Sequence, residues 1–173
     1  MNVIRWLGMI LIGGAAASVG FGAALRIRKT TTQLRQLSSA FEVMRCELQY
    51  AMTPLPQLCQ VVCKTSKGAI QTLFDHLGQI LSEDAACDTS RAMARAIEQS
   101  KSLCLPDEIV FALLELGQTL GQFDLDGQVS MLEMSQKRVK ICLERYEQDQ
   151  SQRCRSYQTL GLCTGAALII LML

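Results

Sequence analysis

Cys59 and Cys63 stand four residues apart, one turn of a helix, a spacing that would let two thiolates face one metal ion. No other close ligand pair accompanies them. The eight cysteines contain no CxxC. They fit better as small apolar core residues in a reducing cytoplasm than as a disulfide framework. His76 is the single histidine, which excludes any mechanism needing two imidazoles or a His-rich metal site. Asp124 and Asp126 bring two carboxylates close together, too few for calcium and better suited to helix capping. Thr119 and Ser130 have no histidine nearby in sequence and no nucleophile elbow. Glu47 lies next to Cys46 and one turn from Tyr50. It either bonds across the bundle to a capping group or presents a binding surface, or it is a solvated flank of its helix. Tyr50, Thr53 and Pro54 shape a corner between helices. Gly117 and Gly121 recur at four residues and permit close helix contact or a turn. No catalytic constellation emerges. The expectation is a protein that is not an enzyme, with no cofactor, no metal and no small-molecule substrate.

Composition narrows the class further. Of 173 residues, 49% are hydrophobic and 19% charged, which excludes general disorder. A net charge of +1 provides no field to hold a nucleic acid, and 5% aromatics are too few for a base-stacking platform.

The apolar residues concentrate at the two ends. Trp6 to Leu25 is a run of 20 residues without a charge, about 30 Å as a helix and enough for a bilayer core. Leu160 to Leu173 is apolar over 14 residues, roughly 21 Å. Tyr157 and Thr159 would then sit at the interface, or the bilayer would thin. The other reading of this end is an apolar helix buried against a partner. Arg26, Arg28, Lys29 and Arg35 follow the first run, and Arg153 and Arg155 precede the second. Positive residues mark the cytoplasmic side, so the middle of the chain is expected in the cytoplasm and both termini across the membrane. The rival reading is a cleavable signal peptide with Ala15-Ala16-Ala17 at its cleavage site. The cations after Leu25 oppose it. Gly14, Ser18 and Gly22 put small side chains on one face of the first span, and Gly161 and Gly165 do so in the second. Such faces let helices approach closely in lipid.

Between the ends the periodicity is helical throughout. Leu34, Leu37, Phe41, Met44, Leu48 and Ala51 step by three and four, an inner stripe on one helix. Thr53-Pro54-Leu55-Pro56 breaks it, with Thr53 expected to cap a second helix and Pro54 to open it. Leu55, Leu58, Cys59, Val62 and Cys63 form the second inner face, which Gly68 is expected to end. Ile70, Leu73, Phe74, Leu77 and Leu81 mark a third helix. Asp88 or Thr89 caps a fourth, with Ala92, Met93, Ala96 and Ile97 inside. Pro106-Asp107-Glu108 opens a fifth, with Ile109, Ala112, Leu113, Leu116 and Leu120 inside. The sixth starts near Asp126, shows Val129, Leu132, Val139, Leu143 and Tyr146, and has no breaker before Gly161. The expected fold is all-α: a six-helix antiparallel bundle between an N-terminal and a short C-terminal transmembrane helix. The expected parts are 1–29, the first span with its basic flank; 30–156, the cytoplasmic bundle; and 157–173, the closing hydrophobic helix.

Four features, taken in order, resemble one family. They are the basic cluster closing the first span; the run Glu47-Leu48-Gln49-Tyr50-Ala51-Met52-Thr53-Pro54-Leu55-Pro56; the run Leu116-Gly117-Gln118-Thr119-Leu120-Gly121-Gln122-Phe123-Asp124 with Gln128 after it; and Leu160-Gly161-Leu162-Cys163-Thr164-Gly165-Ala166-Ala167-Leu168-Ile169-Ile170-Leu171 in the closing helix. Together they are similar to the stage III sporulation protein AB family of endospore-forming bacteria. The chain departs from it at Ala92-Met93, where the family often has Ala-Trp. The resemblance implies a cytoplasmic domain similar to the platform protein of type II secretion and type IV pilus machines. It implies a place in the mother-cell membrane facing the forespore, within a multiprotein channel. It also implies a secretion-type ATPase as cytoplasmic partner, with other membrane and ring components of the complex. The reading kept beside it is a membrane-anchored helical adaptor or signalling module unrelated to secretion.

Overall fold

A computed structural model describes residues 25–51, 53–83, 88–120 and 124–172, with only the helical backbone described over 150–172. Among these residues there are six α-helices and no strand: α1 (residues 25–46), α2 (Leu55–Thr65), α3 (Gly68–Glu83), α4 (Thr89–Gln99), α5 (Asp107–Thr119) and α6 (Leu125–Met172). The chain divides into two units, one of Thr30–Glu144 and one of Met1–Lys29 with Arg145–Leu173.

The inner stripes read from the sequence are the core of Thr30–Glu144. Leu34, Leu37, Phe41, Met44 and Leu48 are buried on α1, and Leu58, Cys59 and Val62 on α2. Ile70, Leu73, Phe74 and Leu77 are buried on α3, and Ala92, Met93 and Ala96 on α4. All five expected positions of α5 and its end, Ile109 to Leu120, are buried. Each large side chain so removed from water contributes roughly 1.5–3 kcal/mol. Leu55, Cys63, Leu81 and Ile97 are half-buried at the edges of their stripes.

Close approaches fix the helix directions. Gly78, late in α3, lies against Cys59 and the carbonyl of Pro56, early in α2, so α2 and α3 form an antiparallel hairpin. Gly117, late in α5, meets Met93 and the carbonyl of Thr89 in α4, another antiparallel pair. Gln136 Nε2 donates to the Ser38 carbonyl at 3.5 Å while Arg45 pairs with Glu133 at 3.5 Å, so α6 runs antiparallel to α1.

Three local readings are corrected. Ala51 is exposed, because α1 passes into a π-helical turn over Glu47–Ala51. A π turn admits an extra residue per turn, so the stripe loses its register after Leu48. Thr53 does not cap α2: Pro54 takes the cap position without a side-chain bond, and the Thr53 hydroxyl is engaged elsewhere. Gly68 does not end α2 either. That helix closes when the Ser66 N–H donates to Val62 O, and Gly68, at φ +60°, starts α3 in a conformation that favours glycine.

α6 is one unbroken helix of 48 residues, as the lack of a breaker implied. Its buried positions are Leu132, Ser135, Val139 and Cys142, while Val129, Leu143 and Tyr146 are half-buried. Among the described residues no helix is long and apolar enough to cross a membrane. The first expected span, with Gly14, Ser18 and Gly22, lies outside the described residues save Leu25, as do the side chains of Gly161 and Gly165.

Candidate functional site: the corner between the first two helices

The π turn ends α1 one residue short of Met52, and α2 begins at Leu55. Across that corner the Thr53 hydroxyl donates to Glu47 Oε2 at 2.9 Å. Glu47 is therefore neither a bond to a distant helix nor a wholly solvated flank: it ties the turn to the chain that follows it. A carboxylate acceptor makes this bond stronger than a neutral one. Leu48 points into the core from the same turn, so Tyr50 points out and is 86% exposed. Pro54 is exposed beside it. The corner thus presents an aromatic ring and a proline on a backbone held from within. Such a surface suits protein contact, because a Tyr ring offers large area at small entropic cost.

The remaining chemical candidates are built into the scaffold. Asp124 Oδ1 accepts from the Gly127 N–H at 3.2 Å and its carbonyl accepts from the Gln128 N–H, so it caps α6. Asp126 lies in the first turn of α6 and is exposed. Thr119 Oγ1 donates back to Glu115 O at 3.1 Å. His76 Nδ1 lies 3.3 Å from Ser100 Oγ, but the Ser100 hydroxyl donates to Ala96 O at 2.8 Å. With that proton committed, His76 Nδ1 meets the Ser100 oxygen as a donor, so Ser100 is not a hydroxyl that His76 activates.

Cys59 is fully buried, and burial, with Cys63 adding to it, pushes its thiol up to about 12. A thiol held neutral is a poor ligand and a poor nucleophile. Cys63 opens onto a groove of about 380 Å³ along α2 and α3, lined also by Lys64, Asp75, Gln79 and Glu83. No group of three or more metal-ligating side chains occurs among the described residues. Cys46, Cys59, Cys63, Cys104 and Cys142 are not in disulfides.

Gly117 is a contact glycine. A Cβ there would lie 2.8 Å from Met93 Cβ and 3.2 Å from its Cγ. Gly121 lies outside the described residues. The structure thus brings Glu47, Tyr50, Thr53 and Pro54 together, and places Gly117 and Asp124 separately as a helix contact and a cap.

Sequence reasoning missed a second tie. Gln33 Nε2 donates to Ser102 O at 3.0 Å, Gln33 Oε1 accepts from the Cys104 N–H at 2.7 Å, and Thr30 Oγ1 donates to Cys104 O at 2.8 Å. One buried amide thereby satisfies both backbone directions of the loop between α4 and α5. A glutamine and a threonine on otherwise apolar faces, Thr30 one turn before Leu34, were the available signal.

The family model for stage III sporulation protein AB (spore_III_AB) matches residues 5–173. The stage III sporulation protein AB of Bacillus subtilis (strain 168) is 27% identical over 176 residues, covering 99% of this chain and all of that protein. A solved structure of a stage III sporulation protein AB (SpoIIIAB) superposes with a TM-score of 0.66 at 23% identity, covering 72% of this chain and 98% of the other, which supports the helical fold. With a family match running from Arg5 to the last residue, the chain belongs to the stage III sporulation protein AB family.

Proposed function

We propose that this protein is a non-enzymatic membrane platform in a sporulation channel between mother cell and forespore, and that its helical unit docks a secretion-type ATPase. The observation that carries the docking surface is the corner: Tyr50 is the most exposed large apolar residue described, on a turn anchored by Leu48 and by the Glu47–Thr53 bond. Exposed aromatics on fixed backbone are the usual anchors of protein interfaces. The membrane attachment rests on the charge-free run Trp6 to Leu25, the apolar end Leu160 to Leu173 and the cations inside each. In this reading the platform lies in the mother-cell membrane facing the forespore, with the bundle in the cytoplasm. The small faces of Gly14, Ser18 and Gly22, and of Gly161 and Gly165, dock neighbouring membrane helices of the complex.

The test is cross-linking and co-purification of the full chain from sporulating cells. The wild type should bring down a membrane partner and an ATPase. Tyr50→Ala should lose the ATPase and keep the membrane partner, whereas Gly14→Leu with Ser18→Leu should weaken the membrane partner. Recovery of the chain alone after cross-linking would refute the platform reading and favour the adaptor.

A further inference from the structure

Five large apolar residues are exposed among those described, and three of them fall on one face: Phe111 at 60%, Met134 at 50% and Ile141 at 58%. The ion pair between Arg138 Nη1 and Glu115 Oε2 joins α5 and α6 at that face. Phe111 lies one turn before Glu115 on α5, while Met134 and Ile141 lie one turn to either side of Arg138 on α6. The three apolar side chains therefore surround one charged pair.

The charges on this face are segregated by helix. α5 carries Asp107, Glu108 and Glu115 and no cation. On the same side of α6, Lys137 and Arg138 lie between Met134 and Ile141, with the next acid, Glu144, one turn beyond. Lys137, Arg138, Asp107 and Glu108 are exposed. A surface with an acidic stretch of α5 beside a basic pair on α6, and apolar residues on both, is complementary to itself under a two-fold rotation. The rotation lays α5 of one copy on α6 of the other, twice over. A one-signed partner would match only half of the face and repel the other half.

We propose that the outer face of α5 and α6 is the contact between two copies of this chain, with Phe111, Met134 and Ile141 at its centre and Asp107, Glu115, Lys137 and Arg138 setting its register. The inference is independent of the corner at Tyr50 and of the channel reading, because it rests on charge and exposure elsewhere in the molecule.

The experiment uses the full chain in membranes of a host without sporulation proteins, with the photo-reactive amino acid p-benzoylphenylalanine at position 134. Irradiation should give an adduct of twice the 19.1 kDa of the chain. Phe111→Ser with Ile141→Ser should lower its yield by roughly tenfold or more, as loss of central anchors does. Lys137→Glu with Arg138→Glu should lower it as well. Adding Asp107→Lys and Glu115→Lys to that variant should restore it, since the swap rebuilds complementarity and keeps the internal pair. Restoration also shows that the loss was not misfolding. No adduct from position 134, an adduct indifferent to the serine pair, or a charge swap that fails to restore it would each overturn the proposal.

Discussion

Replacing Gly117 with alanine adds one carbon at a place where the structure has no room. The new Cβ would lie 2.8 Å from Met93 Cβ and 3.2 Å from Met93 Cγ. Cγ swings away by a rotamer change, but Cβ is fixed to the α4 backbone, so α4 and α5 must move apart. Overpacking of this kind costs about 1–3 kcal/mol, and alanine returns about 1 kcal/mol of helix propensity over glycine. The net expectation is a loss of up to about 2 kcal/mol, measured by urea unfolding of Thr30–Glu144 followed by circular dichroism. The geometry makes a sharper claim about rescue. Met93→Ala keeps the offending Cβ and should leave most of the Gly117→Ala cost in place. Met93→Gly removes that Cβ and should absorb nearly all of it, giving a favourable coupling of about 1–3 kcal/mol, the overpacking cost itself, in a double-mutant cycle. A stabilised Gly117→Ala, or equal coupling with Met93→Ala and Met93→Gly, would refute the close approach of α4 and α5.

Three other outcomes follow from the structure. Cys59 titrates in the folded unit at about 12, above its ordinary value of 9.0, so its contribution to stability is complete below pH 9 and declines as pH rises from 9 towards 12. Unfolding midpoints should fall across that window by no more than about 1.4 kcal/mol per pH unit from this group, and Cys59→Ala should flatten that component; an unchanged slope would place the cause elsewhere. Thr53→Val and Glu47→Ala should show a coupling of about 1 kcal/mol in a double-mutant cycle on urea unfolding, a coupling near zero meaning that the corner is not held by their bond. In whole cells, a membrane-impermeant thiol reagent should leave Cys46, exposed on the bundle, unlabelled until the cells are opened; labelling from outside would reverse the orientation deduced from the flanking cations.

Helical character and inner faces were readable because apolar side chains repeat at three and four residues wherever one side of a helix is buried. That rule found Leu34 to Leu48 and all of Ile109 to Leu120. It failed at Ala51, where backbone winding and not side-chain type changed the register. It also passed over Ser135 on α6, whose hydroxyl side chain leaves no apolar signal, whereas Cys142 is buried as the core reading of the cysteines implied. The corner was readable in part. Proline and tyrosine marked the turn, but the Glu47–Thr53 bond depends on the π turn and could not be read from spacing. Gln33 was invisible for a different reason: its partners, Ser102 and Cys104, are about 70 residues away and are brought to it by the packing of other helices. Gly117 stood out by its spacing, yet its partner Met93 emerged only from the antiparallel pairing of α4 and α5.

The proposed role as a structural member of a sporulation channel has a direct test in a clean deletion strain, followed by microscopy and by counts of heat-resistant spores. Arrest after engulfment with normal vegetative growth is expected, with rescue by the wild-type chain and no rescue by Tyr50→Ala despite normal protein levels. Normal numbers of heat-resistant spores in the deletion strain would contradict it.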